Sequence, residues 1–205
     1  PAEVVASFGA VQSQDYAGAK WGVAQRMRSA VDATVDRAFN EGTIIRTHVL
    51  RPTWHFVAPE DLRWMLELTA PRVNAASAHM HRTHELDGAV FRKSNATFEK
   101  VLRGGKHLTR DELREAFQRA RVPVGDSVRF GYLLMRAETD AVMCSGPRRG
   151  KQMTYALVDE RVPPGKKLDR DEALFELALR YFTTRGPATV HDFSWWSGLT
   201  IADAR

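Results

Sequence analysis

Apolar residues in the first third of the chain recur at the spacing of short amphipathic helices. The pattern predicts helical elements over residues 2–11, 19–27 and 32–40, and it places Trp21 in the core. Gly42 ends the third helix, because glycine accepts the left-handed conformation that often closes a helix. The chain therefore opens with three short helices that need a common core.

Two β-prone stretches follow these helices and are separated by a turn at Pro52. They cover residues 43–46 and 53–57 and predict an antiparallel hairpin. Three helices followed by a hairpin is the order of a winged helix-turn-helix module. Pro59 then begins another helix, because proline is tolerated in the first helical turn. We therefore assign residues 1–70 to a first winged helix.

The same order of elements recurs in the middle of the chain. Thr109, with Glu112 three residues later, forms a capping box that starts a helix. The apolar pattern adds helices over residues 96–102 and 128–138, then strands over residues 141–145 and 152–158. We predict a second winged helix over residues 94–162, joined to the first by a connecting segment over residues 71–93.

A third unit begins after a proline- and lysine-rich linker. Asp169 and Glu172 mark another helix start, and Gly186-Pro187 separates this helix from the next. We expect Trp195 and Trp196 to lie in the core of this unit. Residues 163–205 thus predict an incomplete third winged helix, so we expect the chain to be a fragment of a longer protein. The predicted fold class is mainly α with small β-hairpins (α+β), built from tandem winged helix-turn-helix modules.

Composition narrows the class of protein. Hydrophobic residues make up 43% of the 205 positions and charged residues 27%, as in ordinary soluble globular proteins. No apolar run approaches the roughly 18 residues that a membrane span needs. Cys144 is the single cysteine, which excludes an internal disulfide and suits a reducing compartment. We expect a cytoplasmic protein, associated with the nucleoid in a bacterium.

Positive charge is concentrated in the second predicted module. Residues 92–170 contain 18 Lys and Arg against 10 Asp and Glu, within a chain whose net charge is +5. The turn of its hairpin alone carries Arg148, Arg149 and Lys151, and a basic hairpin tip is typical of a wing that contacts DNA phosphates. A solvated basic turn explains the same residues equally well. Arg51, in the first hairpin, is a further candidate for DNA contact.

Two amides near the start of the chain are candidates for chemistry. Gln12 and Gln14 would point about 200° apart on a helix, so they can converge only if this segment is extended or leaves the helix. Asp15, Tyr16 and Gly18 directly afterwards favour such an exit. Each amide has a donor and an acceptor, so a pair can hold a water molecule or a base edge. Taken alone, two polar residues at a helix end are a common surface feature.

Histidines occur in two places where a ligand could bind. Thr53 and His55 lie two apart on a predicted strand, so their side chains share a face and either meet a ligand or form a surface pair. His79, His81 and His84 are spaced so that a helix spreads them around its circumference. We therefore expect no metal site.

Three motifs together resemble the AlkZ/YcaQ-like family of winged-helix DNA glycosylases. Gln12-Ser13-Gln14 is similar to the family's catalytic Gln-x-Gln motif, although Ser13 is smaller and more polar than the aliphatic residue usual there. Arg51-Pro52-Thr53-Trp54-His55 resembles its Thr-x-His segment in the first wing. The third motif resembles the opening of the family's third winged helix, and it comprises Gly186-Pro187-Ala188-Thr189 and the run from Asp192 to Leu199.

The resemblance implies a monofunctional DNA glycosylase that acts in DNA repair without a cofactor or metal. Its substrates would be alkylated purines with N7 or N3 adducts, including bulky or interstrand-crosslinked ones, in damaged double-stranded DNA. It implies that Gln14 positions the attacking water with Gln12 as its partner. Thr53 and His55 would support them at the DNA, and Asp15 would give electrostatic help. No oligomer is implied.

A second function stays open at the level of sequence. Winged helices bind DNA far more often than they catalyse reactions, and a fold does not decide a function. The same tandem modules therefore also suit a non-catalytic DNA-binding protein or a transcriptional regulator. Turnover of a damaged base separates the two classes, whereas salt-sensitive DNA binding is expected of both.

Overall fold

The first module combines three helices with a three-stranded antiparallel sheet. The computed structural model describes residues 1–29 and 31–205. In chain order the elements are α1 (Ala2–Phe8), β1 (Ala10–Gln12), α2 (Tyr16–Ala24), α3 (Asp32–Glu41), β2 (Ile45–His48) and β3 (Trp54–Val57). The strand order is β1-β3-β2, with β3 antiparallel to both neighbours. This is the winged-helix order with a short strand between the first and second helices.

Two sequence predictions for this module were wrong in detail. The helix predicted over residues 2–11 ends at Phe8, because Gly9 takes a φ of 70° and turns the chain into β1. Trp21, expected in the core, is 68% exposed. Helix α2 buries Ala19 and Val23 instead, so the apolar indole was a poor guide to the inward face.

Two helices connect the first module to the second. A 3-10 turn at Pro59–Asp61 leads into α4 (Leu62–Ala76), and α5 (Ala78–Thr83) follows. Pro71 lies inside α4, so the helix continues across the predicted boundary at residues 70 and 71. The second boundary, predicted at residues 93 and 94, likewise falls inside a helix that Asp87 caps by accepting from the Val90 N–H at 2.8 Å.

The second module repeats the first. Its elements are α6 (Gly88–Leu102), β4 (Leu108–Thr109), α7 (Arg110–Arg119), α8 (Ser127–Thr139), β5 (Met143–Ser145) and β6 (Thr154–Leu157). The strand order is β4-β6-β5, which matches that of the first sheet. The predicted capping box is present, since the Glu112 N–H donates to Thr109 and the Thr109 N–H donates to the Glu112 carboxylate.

The third unit contributes two helices after α9 (Val158–Arg161). These are α10 (Arg170–Arg185) and α11 (Val190–Ser197), and each begins with a capping box. Trp196 is buried as predicted, but Trp195 is 73% exposed and does not join the core. At Thr200, where sequence predicts a recognition helix, the chain forms a turn closed by an Ala204 N–H to Thr200 carbonyl bond of 3.1 Å.

The first sheet is buried on both faces. Phe56 belongs to the core of the first module, together with Val35 and Phe39. Side chains on the opposite face, such as that of Val57, pack with α4, α10 and α11 in a second core that includes Leu177. The sheet therefore lies between two cores, and the strand that carries Gln12 is held from both sides.

The first two modules dock through the outer strands of their sheets. Ser145 on β5 donates a hydrogen bond to the backbone carbonyl of Arg46 on β2. Next to it, the Glu138 carboxylate on α8 binds both the backbone N–H and Nδ1 of His48. Because Glu138 is fully buried, this pair fixes the angle between the modules.

Candidate functional site

The two candidate glutamines lie at the end of β1. Gln12 is the last residue of the strand and faces His55 across the β1–β3 ladder. Beyond it, the Ser13 N–H donates to the Trp54 carbonyl at 2.7 Å, and the Trp54 N–H donates to Gln14 Oε1 at 3.4 Å. The segment is therefore extended, which is the condition under which the two side chains can act together. Both glutamines are exposed.

Asp15 has a structural task at this position. Its carboxylate accepts from the Ala17 N–H at 3.1 Å and caps the N-terminus of α2. A Cβ at Gly18 would lie 2.6 Å from that carboxylate, so the glycine makes room for the cap. The electrostatic role that the resemblance implies for Asp15 stays a prediction.

His55 is a neutral hydrogen-bond acceptor at the back of the site. Its ring is fully buried, and Nδ1 lies 2.9 Å from the Thr53 carbonyl, which can only accept, so Nδ1 carries the proton. Burial lowers the pKa of His55 to about 3. The Thr53 hydrogen bond raises it and the nearby charge of Arg51 lowers it, and both effects are smaller than that of burial. Near pH 7 the ring therefore presents an unprotonated Nε2, which can accept a hydrogen bond but cannot donate one.

Several buried polar atoms in the first sheet and its turn have no partner among the described residues. We call them the orphan cluster: Ser13 Oγ, Thr47 Oγ1, Arg51 Nε, Thr53 Oγ1 and His55 Nε2. Buried polar groups in proteins nearly always have a hydrogen-bond partner, so a cluster of unpaired ones is typical of a site that binds water or a ligand. Gln12, His55 and Thr47 sit opposite one another on adjacent strands, so these three share one face of the sheet.

A cationic wall stands beside Gln12. A cavity of about 320 Å³ between the first and third units is lined by Gln12, Arg26, Arg185 and Trp196, among others. Arg185 donates to the carbonyls of Phe8 at 3.0 Å and Ala10 at 2.9 Å, and burial lowers its pKa to about 10. Within the described ranges, neither arginine has a carboxylate at ion-pair distance. The wall therefore favours an anion.

The predicted DNA-contacting cations occupy different environments. Arg51 lies with its guanidinium 4.7 Å from the centre of the Trp195 ring, at the junction of the first and third units. Arg148 is turned inward, 3.2 Å from Asp36 on α3, so it docks the second wing onto the first module. Arg149 pairs with Glu112 at 2.6 Å, and Lys151 is exposed.

Of the four predicted DNA contacts, Arg148 has a structural role between the two modules. Its side chain is 18% exposed, and its guanidinium also lies 4.7 Å from the centre of the Tyr16 ring. The sequence could not show this, because a basic hairpin tip looks the same whether it faces solvent or a neighbouring module. DNA contact by Arg51, Arg148, Arg149 and Lys151 stays a prediction.

Sequence reasoning missed three residues of the site. Thr47 lies on β2, and its position on the His55 face follows only from the strand register. Arg26 and Arg185 come from either end of the chain, and no motif or spacing connects them to Gln12. A basic residue directly before Gly186-Pro187 was the sole available signal for Arg185, and it is a weak one.

The sequence of the chain matches the model of a known protein family. The model of the family described as DNA glycosylase AlkZ-like matches residues 5–205. The chain belongs to this family. The resemblance seen in the three sequence motifs is thereby confirmed, and the matched range of the AlkZ-like chain includes both glutamines and the whole first wing.

A curated relative and a solved structure that match this AlkZ-like chain both come from Streptomyces sahachiroi. The interstrand DNA cross-link repair glycosylase is 28% identical in an alignment 205 residues long, and the match covers 96% of this chain and 54% of the relative. The solved structure of the DNA glycosylase AlkZ matches with a TM-score of 0.80 at 25% identity, over 100% of this chain and 57% of that one. The predicted fold class is confirmed. The AlkZ-like chain spans about half the length of these relatives.

Two further findings concern metals and membranes. Among residues 1–29 and 31–205, no three His, Cys, Asp or Glu side chains are grouped so that they could hold a metal ion. His81, one of the three spaced histidines, instead packs against Phe91 with ring centres 5.0 Å apart. In the same ranges of the AlkZ-like chain, no helix has the length and apolar character needed to cross a membrane.

Proposed function

We propose that this AlkZ-like chain carries the catalytic site of a DNA glycosylase that removes alkylated purines from double-stranded DNA. The observation that carries the proposal is the pair Gln12 and Gln14 at the end of an extended strand, beside the orphan cluster, in a chain of this family. The curated relative is named for the repair of interstrand cross-links, which supports including bulky and crosslinked N7 or N3 adducts among the substrates.

The chemistry explains why amides are sufficient. Alkylation at N7 or N3 makes a purine cationic, so the base leaves without help from a strong general acid. The reaction then needs a water molecule to attack a sugar with oxocarbenium character, as in other glycosidic hydrolysis. A fixed amide can orient that water and place its carbonyl dipole near the developing positive charge.

Each residue of the site has a role in this scheme. Gln14, tethered by the Trp54 N–H, positions the water, and Gln12 orients Gln14 and the sugar. His55 is too weak a base to take a proton near pH 7, so its Nε2 accepts a hydrogen bond from water or from the bound DNA. The cationic wall of Arg26 and Arg185 binds a phosphate next to the lesion.

Single-turnover release of the base tests the proposal. The full-length protein is mixed with a duplex that contains one N7-methylguanine, and the free base is measured over time. We expect Gln14→Ala to slow release on the order of a hundredfold, because a preorganised dipole next to the reacting atoms is lost. Gln118→Ala is the matched control, since Gln118 is an exposed glutamine on α7, and it should release the base at the wild-type rate.

The same experiment can reject the proposal. Tight binding without release, on this lesion and on a bulky N7 adduct, would show a non-catalytic DNA-binding protein. If Gln14→Ala releases the base at the wild-type rate, the catalytic site lies elsewhere in the protein. Because water rather than an amine attacks the sugar, the product strand should stay intact until alkali is added, as for a monofunctional glycosylase.

A further inference from the structure

A second cavity lies on the opposite side of the first wing from His55. It has a volume of about 210 Å³ and is bounded by the turn of the first hairpin and by α8 of the second module. The side chains that line it include His48, Trp54, Arg110, Tyr132 and Met135. Trp54 and His55 are neighbours on β3, so their side chains point to opposite faces of the sheet.

Trp54 connects this cavity to the candidate glutamines. Its backbone N–H holds Gln14 Oε1 at 3.4 Å, and its carbonyl accepts from the Ser13 N–H at 2.7 Å. The side chain of the same residue forms a wall of the cavity. An occupant of the cavity would therefore contact the side chain of Trp54, the residue whose backbone holds Gln14.

The walls of the cavity suit a flat aromatic group. The rings of His48 and Trp54 lie 4.3 Å apart, and the guanidinium of Arg46 lies 4.3 Å from the centre of the indole, so Trp54 is held in place. Tyr132 and Met135 supply further apolar surface from α8. Arg110 adds a positive charge, which disfavours a cationic occupant.

Gly131 keeps the cavity open. It lies in the interior of α8 with an ordinary helical φ, so no backbone strain demands a glycine. A Cβ there would have its nearest neighbour at 3.7 Å, the guanidinium of Arg110, which is ordinary contact. Glycine within a helix costs about 1 kcal/mol relative to alanine. The fold of α8 alone therefore does not explain this residue, and only a side chain larger than that of alanine would fill the cavity.

We propose that this cavity receives one uncharged nucleobase, unstacked from the duplex beside the lesion. The inference rests on the proposed function in taking DNA with an alkylated purine as the ligand. A base between aromatic and apolar walls gains stacking energy, and its neutral charge fits the cation at Arg110. An alkylated purine is itself cationic before release, so the occupant is the base opposite the lesion or one of its two neighbours.

Binding measurements on variants of the protein and of the DNA test this inference. Gly131→Leu fills the cavity, and Gly131→Ala is the matched control, because its methyl group leaves most of the space free. Duplexes carry N7-methylguanine and either a normal base or a tetrahydrofuran abasic nucleotide at one of the three candidate positions. The readout is the equilibrium dissociation constant, measured at constant salt.

We expect wild type and Gly131→Ala to lose affinity about fivefold or more when the base at one position is removed. Gly131→Leu should bind both duplexes equally at that position. If wild type and Gly131→Leu respond alike at all three positions, the inference is overturned. Tyr132→Ala, which removes a wall without filling the space, should also reduce the preference, and it covers the case in which Gly131→Leu folds poorly.

The outcome is independent of catalysis. Gln14→Ala should keep the preference for the duplex with the base, because binding in the cavity needs no hydrolysis. If base release fails while the preference persists, the catalytic proposal is wrong and the cavity still binds a base. If release proceeds without any preference, the glycosylase acts without this cavity.

Discussion

At the scale of single residues, the chemistry of the site depends on protonation states that burial decides. His55 is an ordinary histidine in the sequence, but in the fold its ring is fully buried and hydrogen-bonded through Nδ1. Its pKa falls from 6.5 to about 3, so the folded protein holds it neutral over a range where the unfolded chain binds a proton. This difference makes stability depend on pH.

The sign of that dependence can be tested directly. Below pH 6.5 the unfolded state takes up the proton first, so the free energy of unfolding falls as the pH is lowered towards 3. At pH 5, His55 alone lowers the free energy of unfolding by about 2 kcal/mol relative to neutral pH, because each pH unit below 6.5 costs about 1.4 kcal/mol. Urea unfolding at pH 7 and pH 5 should show a smaller acid loss in His55→Asn than in wild type. Equal losses would mean that His55 is not the group responsible.

The residues of the site divide by how far their partners lie along the chain. Gln12, Gln14, Thr53 and His55 belong to short motifs, so the resemblance to a family could point to them. Arg185 reaches Gln12 only because α10 packs across the first module, 173 positions away. No local pattern encodes such a meeting, and the same is true of the inward turn of Arg148.

At the scale of elements, local signals set most helix starts. The capping box at Thr109 was recognised from sequence, and the structure places the Glu112 N–H 3.3 Å from the threonine hydroxyl. By contrast, β1 and β4 have three and two residues, too few for an alternating pattern to be recognised. Both strands form because they pair with β3 and β6, which lie further along the chain. Their own residues do not encode this pairing.

The capping box supports a prediction for α7. Thr109→Ala removes the side chain that satisfies the Glu112 N–H, and we expect a loss of about 1 kcal/mol in the free energy of unfolding. Thr109→Ser keeps the hydroxyl and should restore most of that loss. Both variants are measured by urea denaturation monitored by circular dichroism. A serine variant as unstable as the alanine variant would point to the lost methyl group rather than to the cap.

At the scale of the whole molecule, close backbone contacts hold the third unit against the first wing. Gly198 ends α11 with a φ of 72°, and a Cβ there would lie 2.3 Å from the carbonyl oxygen of Leu50. Arg72 also reaches this point, with Nε 3.4 Å from the Gly198 carbonyl. The position of α11, and with it the wall beside Gln12, depends on this contact.

A pair of glycines separates the contact from backbone strain. Gly104 has a similar φ of 85°, but a Cβ there would meet nothing within 4 Å. We expect Gly104→Ala to cost about 1 kcal/mol of stability from the left-handed conformation alone. Gly198→Ala should cost about 1–3 kcal/mol more, because the methyl group forces the backbones apart. Thermal unfolding of the two variants in parallel measures the difference. Equal losses would show that the backbones at Gly198 and Leu50 can move apart without cost.

The contact between β2 and β5 limits how the protein can be divided into separate modules. Each is the outer strand of its own sheet, and each covers the other through the Ser145 and Arg46 contact. Bare sheet edges recruit foreign strands and promote aggregation. Separating the two modules would therefore expose an outer strand on each of them. A piece of the protein that keeps β2 and β5 together avoids exposing the edge of either strand.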